Sequence, residues 1–304
     1  MGPGGEPGGG YAPELNRSGD LVWFQSSANL VTAPMNEAVA VYVRNLTTHT
    51  TCRIDLPGAG SGSYEALEAI SPNGRYAIVF GGAGQYVVDE VTGATTAIPY
   101  LVFYLCCGSA HHFSYGIEND GRTIVAGQAA GEIYDAVTGE LTQLKCPNGQ
   151  EPNPNATDYV DLENTRYAGV VGDGCGVEAG YTMNLATNTL METAKYDCEG
   201  KLVFPCIFEL IPSEEGSHVL SSSAVGLRYD GKKIGDYPYL CGLTQNGEHA
   251  VFDGTGVEEY DARTATLQPV PGIGSEAGCW KQAVSSSGEI VYSIEGHVRL
   301  GHTG

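Results

Sequence analysis

The chain has 304 residues with 43 glycines, 15 prolines and only 17% charged side chains, which excludes a helix-dominated protein rich in Ala, Leu, Glu and Lys. Thirty-six acidic residues against 15 basic ones give a formal net charge of −21. Such a surface repels phosphate backbones and anionic headgroups, so nucleic acid is not an expected partner; nor does any apolar run approach the roughly 20 residues of a membrane-spanning helix.

Residues 1–10 (Met1-Gly2-Pro3-Gly4-Gly5-Glu6-Pro7-Gly8-Gly9-Gly10) have neither a basic n-region nor an apolar h-region. They are not a signal peptide and read as a flexible leader to a single domain over 11–304.

From there a polar turn carrying Gly recurs, each time followed by an apolar strand. It appears as Arg17-Ser18-Gly19-Asp20-Leu21-Val22-Trp23-Phe24, Ser71-Pro72-Asn73-Gly74-Arg75-Tyr76-Ala77-Ile78-Val79-Phe80 and Glu118-Asn119-Asp120-Gly121-Arg122-Thr123-Ile124-Val125. Further copies start at Glu163, Ser213, Gln245 and Ser286. A second motif, [Asp/Asn]-x-x-Thr, follows each by about 20 residues: Asn45-Leu46-Thr47-Thr48, Asp89-Glu90-Val91-Thr92-Gly93, Asp135-Ala136-Val137-Thr138-Gly139, Asn184-Leu185-Ala186-Thr187 and Asp261-Ala262-Arg263-Thr264. A degenerate copy closes the chain at Leu300–Gly304. The threonines at 48, 92, 138, 187, 264 and 303 are spaced by 44, 46, 49, 77 and 39 residues. The gap of 77 spans two units, with a weak copy at Tyr229-Asp230-Gly231-Lys232 inside it.

Asp or Asn caps its own turn through the side chain and Gly supplies a positive φ, so both motifs are hairpin turns. Each unit is therefore four antiparallel strands in about 40 residues, the period of a propeller blade. The expected fold is an all-β β-propeller of about seven four-stranded blades in one domain. A β-sandwich does not normally alternate two turn motifs in this way. Ring closure stays open: Tyr11–Leu15 could supply the last blade's fourth strand, or that strand lies beyond these residues.

The combination Ser-Pro-Asn-Gly-Arg-Tyr, an apolar strand, then Tyr-x-x-Asp-x-x-Thr-Gly resembles the WD-repeat-like propeller repeats of the TolB type over residues 11–304. The resemblance implies the fold and carries no activity, because the matching residues are turns. The α/β domain of TolB is missing here, as is the Gly-x-Ser-x-Gly elbow of the hydrolases that share such repeats.

Nine cysteines stand at 52, 106, 107, 146, 175, 198, 206, 241 and 279, without Cys-x-x-Cys spacing. Zinc-ribbon, thioredoxin-like and haem attachment readings therefore fail, and disulfides in an oxidising compartment are expected, secreted, extracellular or periplasmic. Three sequons, at Asn16, Asn45 and Asn155, fit that setting. All cysteines but Cys52 fall on the disc face where the d-to-a and b-to-c connections open. The expected pairs are Cys198–Cys206, Cys146–Cys175 and Cys241–Cys279. Cys106 and Cys107 form a vicinal pair or bond separately, one of them with Cys52.

The same face carries His111 and His112. Two adjacent histidines could hold a metal from a loop, with a thiolate or His218 completing the shell, but the spacing matches no ligand pattern, so no metal or cofactor is expected. Aromatic residues near that face (Tyr104, Trp280, Tyr239, Tyr100 and Tyr237) suit stacking on a sugar or gripping a peptide, and equally suit packing. No local signature marks an activated nucleophile. The expected function is a secreted, non-catalytic module binding a protein, peptide or glycan through its cysteine-rich face, with self-assembly open. The alternative is a polysaccharide lyase or hydrolase with its site near His111 and His112.

Overall fold

The computed structural model describes residues 10–303 except 36, 61, 82–83, 99–114, 127–131, 144, 151–158, 162–166, 173–178, 185–186, 188, 196–206, 214–215, 224–225, 237–238, 280–282 and 296. It contains small antiparallel sheets, each a meander of strands a, b, c and d in chain order. Sheet one is Tyr11–Leu15, Leu21–Ser26, Ala40–Asn45 and Thr50–Arg53; sheet two is Ala66–Ile70, Tyr76–Gly81, Gly84–Asp89 and Thr95–Ala97. Sheet three is Tyr115–Ile117, Thr123–Ala126, Glu132–Asp135 and Leu141–Gln143; sheet four is Tyr159–Asp161, Tyr167–Gly172, Ala179–Asn184 and Thr189–Lys195. Sheet five is Ile207–Pro212, Val219–Ser223, Gly226–Tyr229 and Lys232–Gly235; sheet six is Tyr239–Leu243, His249–Asp253, Val257–Asp261 and Thr266–Pro269. The last sheet has two ladder strands, 7b (Glu289–Ile294) and 7c (His297–His302).

The all-β propeller class is what the repeats lead one to expect. The expectation of seven four-stranded blades is corrected: among the described residues six sheets have four strands and the last has two. Among the described residues its inner edge makes isolated bridges, Gly278 with Ser293 and Val284 with Ile290. Tyr11–Leu15 does not complete it either, because it pairs with strand 1b as the inner strand of sheet one.

Sheets one, two and six are packed on both faces, which explains why stretches such as Val22-Trp23-Phe24 and Ala77-Ile78-Val79 read as continuous apolar runs rather than alternating ones. Adjacent residues on one strand serve different seams. Trp23 joins Val41, Val43, Val79 and Tyr86 between sheets one and two, while Phe24 joins Ala40, Val251, Val284 and Ile290 on the other side. Likewise Ile78 packs toward sheet three with Val87, Ile117 and Ile124. Strand d lies at the rim and is polar, as in Thr50–Arg53 and Thr266–Pro269.

The a–b turns of sheets one, two, three, five and six share one geometry. The N–H of the first residue bonds across the turn to the start of strand b, as from Ser71 to the Tyr76 carbonyl at 2.8 Å and from Glu118 to Thr123 at 2.9 Å. Turns of neighbouring sheets are linked in series: Gln245 N–H donates to the Ser286 carbonyl (3.2 Å), Ser286 N–H to Arg17 (2.8 Å) and Arg17 N–H to Pro72 (2.8 Å). The next link is Asn73 N–H to Asn119 Oδ1 at 2.8 Å. Side chains reinforce them, Trp23 Nε1–H donating to the Gly74 carbonyl (2.8 Å) and the Tyr229 hydroxyl to Gly247 (2.6 Å). The ring is closed at sheets six, seven and one by Arg17, whose Nη1 donates to the carbonyls of Leu243 (2.9 Å) and Val284 (3.4 Å).

The c–d turns are capped as their motif requires. Asp135 Oδ1 accepts from the N–H groups of Val137 and Thr138 at 2.9 Å, and Asp261 Oδ1 from Arg263 and Thr264. In sheets two and three the Arg after the turn glycine reaches that Asp: Arg75 forks onto Asp89 at 3.0 and 2.9 Å, and Arg122 pairs with Asp135. The Arg75 guanidinium lowers the Asp89 carboxyl to about 2. The weak copy in sheet five is a tighter hairpin, with Asp230 at φ 47° and Gly231 at φ 77°, as a two-residue turn demands.

Gly121 shows why the a–b turn is sequence-restricted. Its φ is +65°, and a Cβ there would overlap the Tyr76 ring of the preceding sheet. Gly93, in a c–d turn at φ +68°, has nothing within 4 Å of that position. Gly93→Ala should cost about 1 kcal/mol from backbone strain alone, and Gly121→Ala roughly 3 kcal/mol because a packed ring must also move. Equilibrium urea unfolding of the two variants checks this; equal losses would refute the close-approach account.

Candidate functional site

The a–b turns bond to one another on one face, and strand a begins on the opposite face. Tyr11, Tyr115, Tyr159 and Tyr239 are the first residues of strands 1a, 3a, 4a and 6a, and Tyr64 stands two before 2a. Tyr64 is 52% exposed and Tyr239 64% exposed. The hydroxyl of Tyr11 donates to that of Tyr64 at 3.4 Å, bridging the seam between sheets one and two. Burial, then the contact with Tyr64, raises the Tyr11 hydroxyl well above its usual range.

Beneath this pair lies Glu65, fully buried. Its backbone joins the two sheets, Glu65 N–H donating to the Val39 carbonyl at 3.1 Å. Its Oε2 accepts from the Val41 N–H at 3.2 Å. Gln25 stands opposite both Tyr11 and Val41 in the ladders of sheet one. The Oε1 atoms of Gln25 and Glu65 and the Oγ of Ser63 are buried without a hydrogen-bond partner among the described residues. Unsatisfied buried acceptors of this kind call for an explanation, such as a ligand or water supplying the donor. Burial pushes the Glu65 carboxyl up to about 7; the Val41 N–H and Arg53 oppose the rise, while Glu37 and Asp55 add to it. Glu118, in the a–b turn of sheet three, is also pushed to about 7 by burial, then by Asp120.

A second acidic group lies at sheet six. Thr255 Oγ1 donates to Glu258 Oε1 at 3.1 Å, and burial followed by Glu258 raises the Asp253 carboxyl. Nearby, Cys241 of strand 6a is disulfide-bonded to Cys279, with Cα atoms 5.6 Å apart. This bond ties the inner edge of sheet six to that of the last sheet. Cys146 is buried and disulfide-bonded as well.

Cys52, on strand 1d, is exposed and free, so the option of a bond from Cys106 or Cys107 to Cys52 is not realised. His218 is also corrected. It lies two residues past Gly216 on the turn face, where its Nδ1 pairs with Asp230 at 2.7 Å, so it is not available to a site on the loop face. The Asn16 sequon is spent structurally, since its buried amide donates to Ser18, Asp20 and the Asn73 carbonyl. Of the remaining sequence-derived residues, His111, His112, Tyr104, Trp280, Cys106, Cys107, Cys175, Cys198 and Cys206 lie outside the described residues, as do Tyr100, Tyr237 and Asn155. Among the described residues no group of three or more His, Cys, Asp or Glu is placed to hold a metal ion.

Tyr11, Tyr64, Gln25 and Glu65 do not stand out in the sequence. The usable signal is positional: Tyr11 and Tyr239 each stand five residues before the first residue of their a–b turn, Asn16 and Thr244. The buried state of Glu65 leaves no comparable trace.

No family model matches the sequence, and no curated protein does. Solved structures resemble the fold. An oligogalacturonate lyase in complex with manganese superposes with a TM-score of 0.52 at 10% identity, over 96% of this chain and 90% of that one. TolB from Acinetobacter baumannii gives a TM-score of 0.44 at 12% identity, over 86% of this chain. The match covers 53% of TolB, so this chain spans about half its length. At such identities the likeness is one of architecture: the chain is a β-propeller by fold. No helix among the described residues is long and apolar enough to cross a membrane.

Two measurements follow from this geometry. The native state holds the Glu65 proton more tightly than the unfolded chain, whose ordinary value is 4.5. The stability this contributes is present below that value and is lost as pH rises through about 7. Between pH 5 and 8 the wild-type chain should therefore lose about 1–3 kcal/mol more than Glu65→Gln, read from urea midpoints; parallel pH profiles would refute the assignment. Replacing both Cys241 and Cys279 by Ser should lower stability by about 4 kcal/mol, the loop-closure value for a separation of 38 residues, and denaturant titration of the double variant measures it.

Proposed function

We propose that this chain is a secreted or periplasmic, non-catalytic binding propeller that engages a protein, peptide or glycan through the face where its inner strands begin. The observation that carries the reading is the Tyr11–Tyr64 pair set over the buried, unpartnered oxygens of Gln25 and Glu65. Tyrosine rings offer an apolar face for a sugar ring or a peptide side chain. The acceptors behind them suit a ligand rich in O–H or N–H donors, because each donor supplied removes a desolvation penalty of roughly 1–3 kcal/mol. The surrounding Glu37 and Asp55 disfavour an anionic ligand. Disulfides at Cys241–Cys279 and Cys146 agree with an oxidising compartment.

A catalytic reading has support of its own: Glu65 has a raised carboxyl value, about 7, suited to general acid–base work near neutral pH, and the fold is shared with a protein named as an oligogalacturonate lyase. The two readings separate on arrays of neutral glycans, uronate oligosaccharides and extended peptides. A binding module should retain an unmodified neutral glycan or peptide. Tyr64→Ala should then weaken capture more than tenfold while Tyr64→Phe costs less, since most of the ring contact survives. Turnover of a uronate substrate, abolished by Glu65→Gln or by His111→Ala with His112→Ala, would replace the binding proposal with the catalytic one.

A further inference from the structure

The connection from strand 1d to strand 2a runs along the outer edge of strand 1c. Ala38 N–H donates to the Ser63 carbonyl at 2.7 Å, Glu65 N–H to the Val39 carbonyl at 3.1 Å, and Val39 bridges Tyr64 in parallel. Ser63, Tyr64 and Glu65 are thereby fixed against sheet one. Gln25 approaches the same seam from strand 1b. It stands opposite Tyr11 on one side and Val41 on the other, and residues directly opposite one another in a ladder share a face. For Val41 that face is the apolar seam between sheets one and two.

Gln25 is 5% exposed and Glu65 is fully buried, yet Gln25 Oε1, Glu65 Oε1 and Ser63 Oγ have no hydrogen-bond partner among the described residues. Glu65 spends only its other oxygen, Oε2, on the Val41 N–H at 3.2 Å. The charged side chains acting on Glu65 are Glu37, Asp55 and Arg53. Arg53 is already engaged, its Nε on Asp55 and its Nη1 on the Pro34 carbonyl, both at 2.8 Å. What the seam lacks is therefore a donor, and the surrounding acids favour one that carries positive charge. An ammonium group meets both needs, because it has three N–H donors and no acceptor. It also fits a space that otherwise holds one water. A guanidinium is the poorer match: its planar fork suits a carboxylate with both oxygens open, and Glu65 offers one.

We propose, resting on the binding reading above, that this seam takes the ammonium group of a lysine side chain from a partner protein or peptide. Glu65 is fully buried, so its ligand must reach in from the surface. A lysine does so on a flexible four-carbon stem, while the partner's backbone stays outside. Tyr64, 52% exposed, and Tyr11, whose hydroxyl meets that of Tyr64, stand at the entrance. Their rings supply an apolar wall for the stem and a favourable face for the cation. An amino sugar bears its amine directly on the ring, without a stem, and is stopped at the tyrosines.

The test titrates the full chain by calorimetry with capped Gly-X-Gly peptides in which X is lysine, Nε-acetyl-lysine, Nε-trimethyl-lysine or arginine, and with glucosamine. The lysine peptide should bind about tenfold or more tighter than each of the others, as charge-assisted hydrogen bonds to buried acceptors require. Trimethyl-lysine is the decisive control, since it keeps the charge and the ring contact but has no N–H. Glu65→Gln should remove the preference for lysine. In the wild-type chain, whatever the fate of that variant, the side-chain amide resonances of Gln25 should shift with the lysine peptide and not with the acetylated one. Equal affinity for lysine and acetyl-lysine would overturn the proposal. So would tighter binding of trimethyl-lysine, arginine or glucosamine, or no binding of the lysine peptide at millimolar concentration. Capture of a neutral ligand that depends on Tyr64 but shows no lysine preference would leave the binding module standing and remove the ammonium. Loss of all capture dependent on Tyr64 would remove both.

Discussion

Neighbouring sheets in this propeller are held at their turn ends by backbone that another sheet can approach without obstruction. The a–b turn is tight and crosses at a glycine, so its carbonyls and N–H groups remain reachable from the next sheet. Trp23 reaches Gly74, Tyr229 reaches Gly247, and Tyr76 occupies the space a side chain at 121 would need. The serial bonds from Gln245 through Ser286, Arg17 and Pro72 then connect the turns of sheets six, seven, one and two. Apolar seams alone would not specify how neighbouring sheets are offset, because dispersion contacts are non-directional; the turn hydrogen bonds supply that direction.

This arrangement divides the molecule by function. One face carries the a–b turns, whose backbone groups bond across the seams between sheets. The other face is where connections vary in length, where the Cys241–Cys279 bond joins inner edges, and where buried oxygens of Gln25, Ser63 and Glu65 lack partners among the described residues. A propeller can leave acceptors unpaired there because the ring at the opposite end maintains the seam. Closure between the last sheet and sheet one likewise relies on Arg17 and the turn bonds rather than on a shared strand among the described residues.

Local chemistry makes the repeat legible in the amino-acid sequence itself. Asp or Asn at the end of strand c, Thr three residues on and Gly after it form a self-contained cap, and Gly after a polar pair forms a self-contained turn. Both signals need only residues close in sequence, so their count and spacing establish the all-β class, the four-strand unit and the two faces. Where the cap is incomplete, as at Asp230-Gly231, the hairpin still forms, with a shorter turn. The pair Cys241 and Cys279 is also within reach of such reasoning, since both cysteines fall in equivalent connections of consecutive units.

Features that depend on neighbours far apart in sequence leave no such trace. Burial of Glu65 arises because sheets one and two meet over it, and Tyr11 and Tyr64, 53 positions apart, converge only when that seam closes. The turn-face position of His218 and the rim position of Cys52 follow from which strand of a blade each occupies. The turn motifs left the last sheet's fourth strand open, and the pairing of Tyr11–Leu15 with sheet one had to come from the structure, because a turn records that two strands adjoin and says nothing of pairing across the ring. Sequence alone determined the repeat, the turn chemistry and the acidic surface, all set by contacts within a few residues. Tertiary structure alone decided which polar groups lost their water, because desolvation depends on what packs above a residue rather than on what precedes it in the chain.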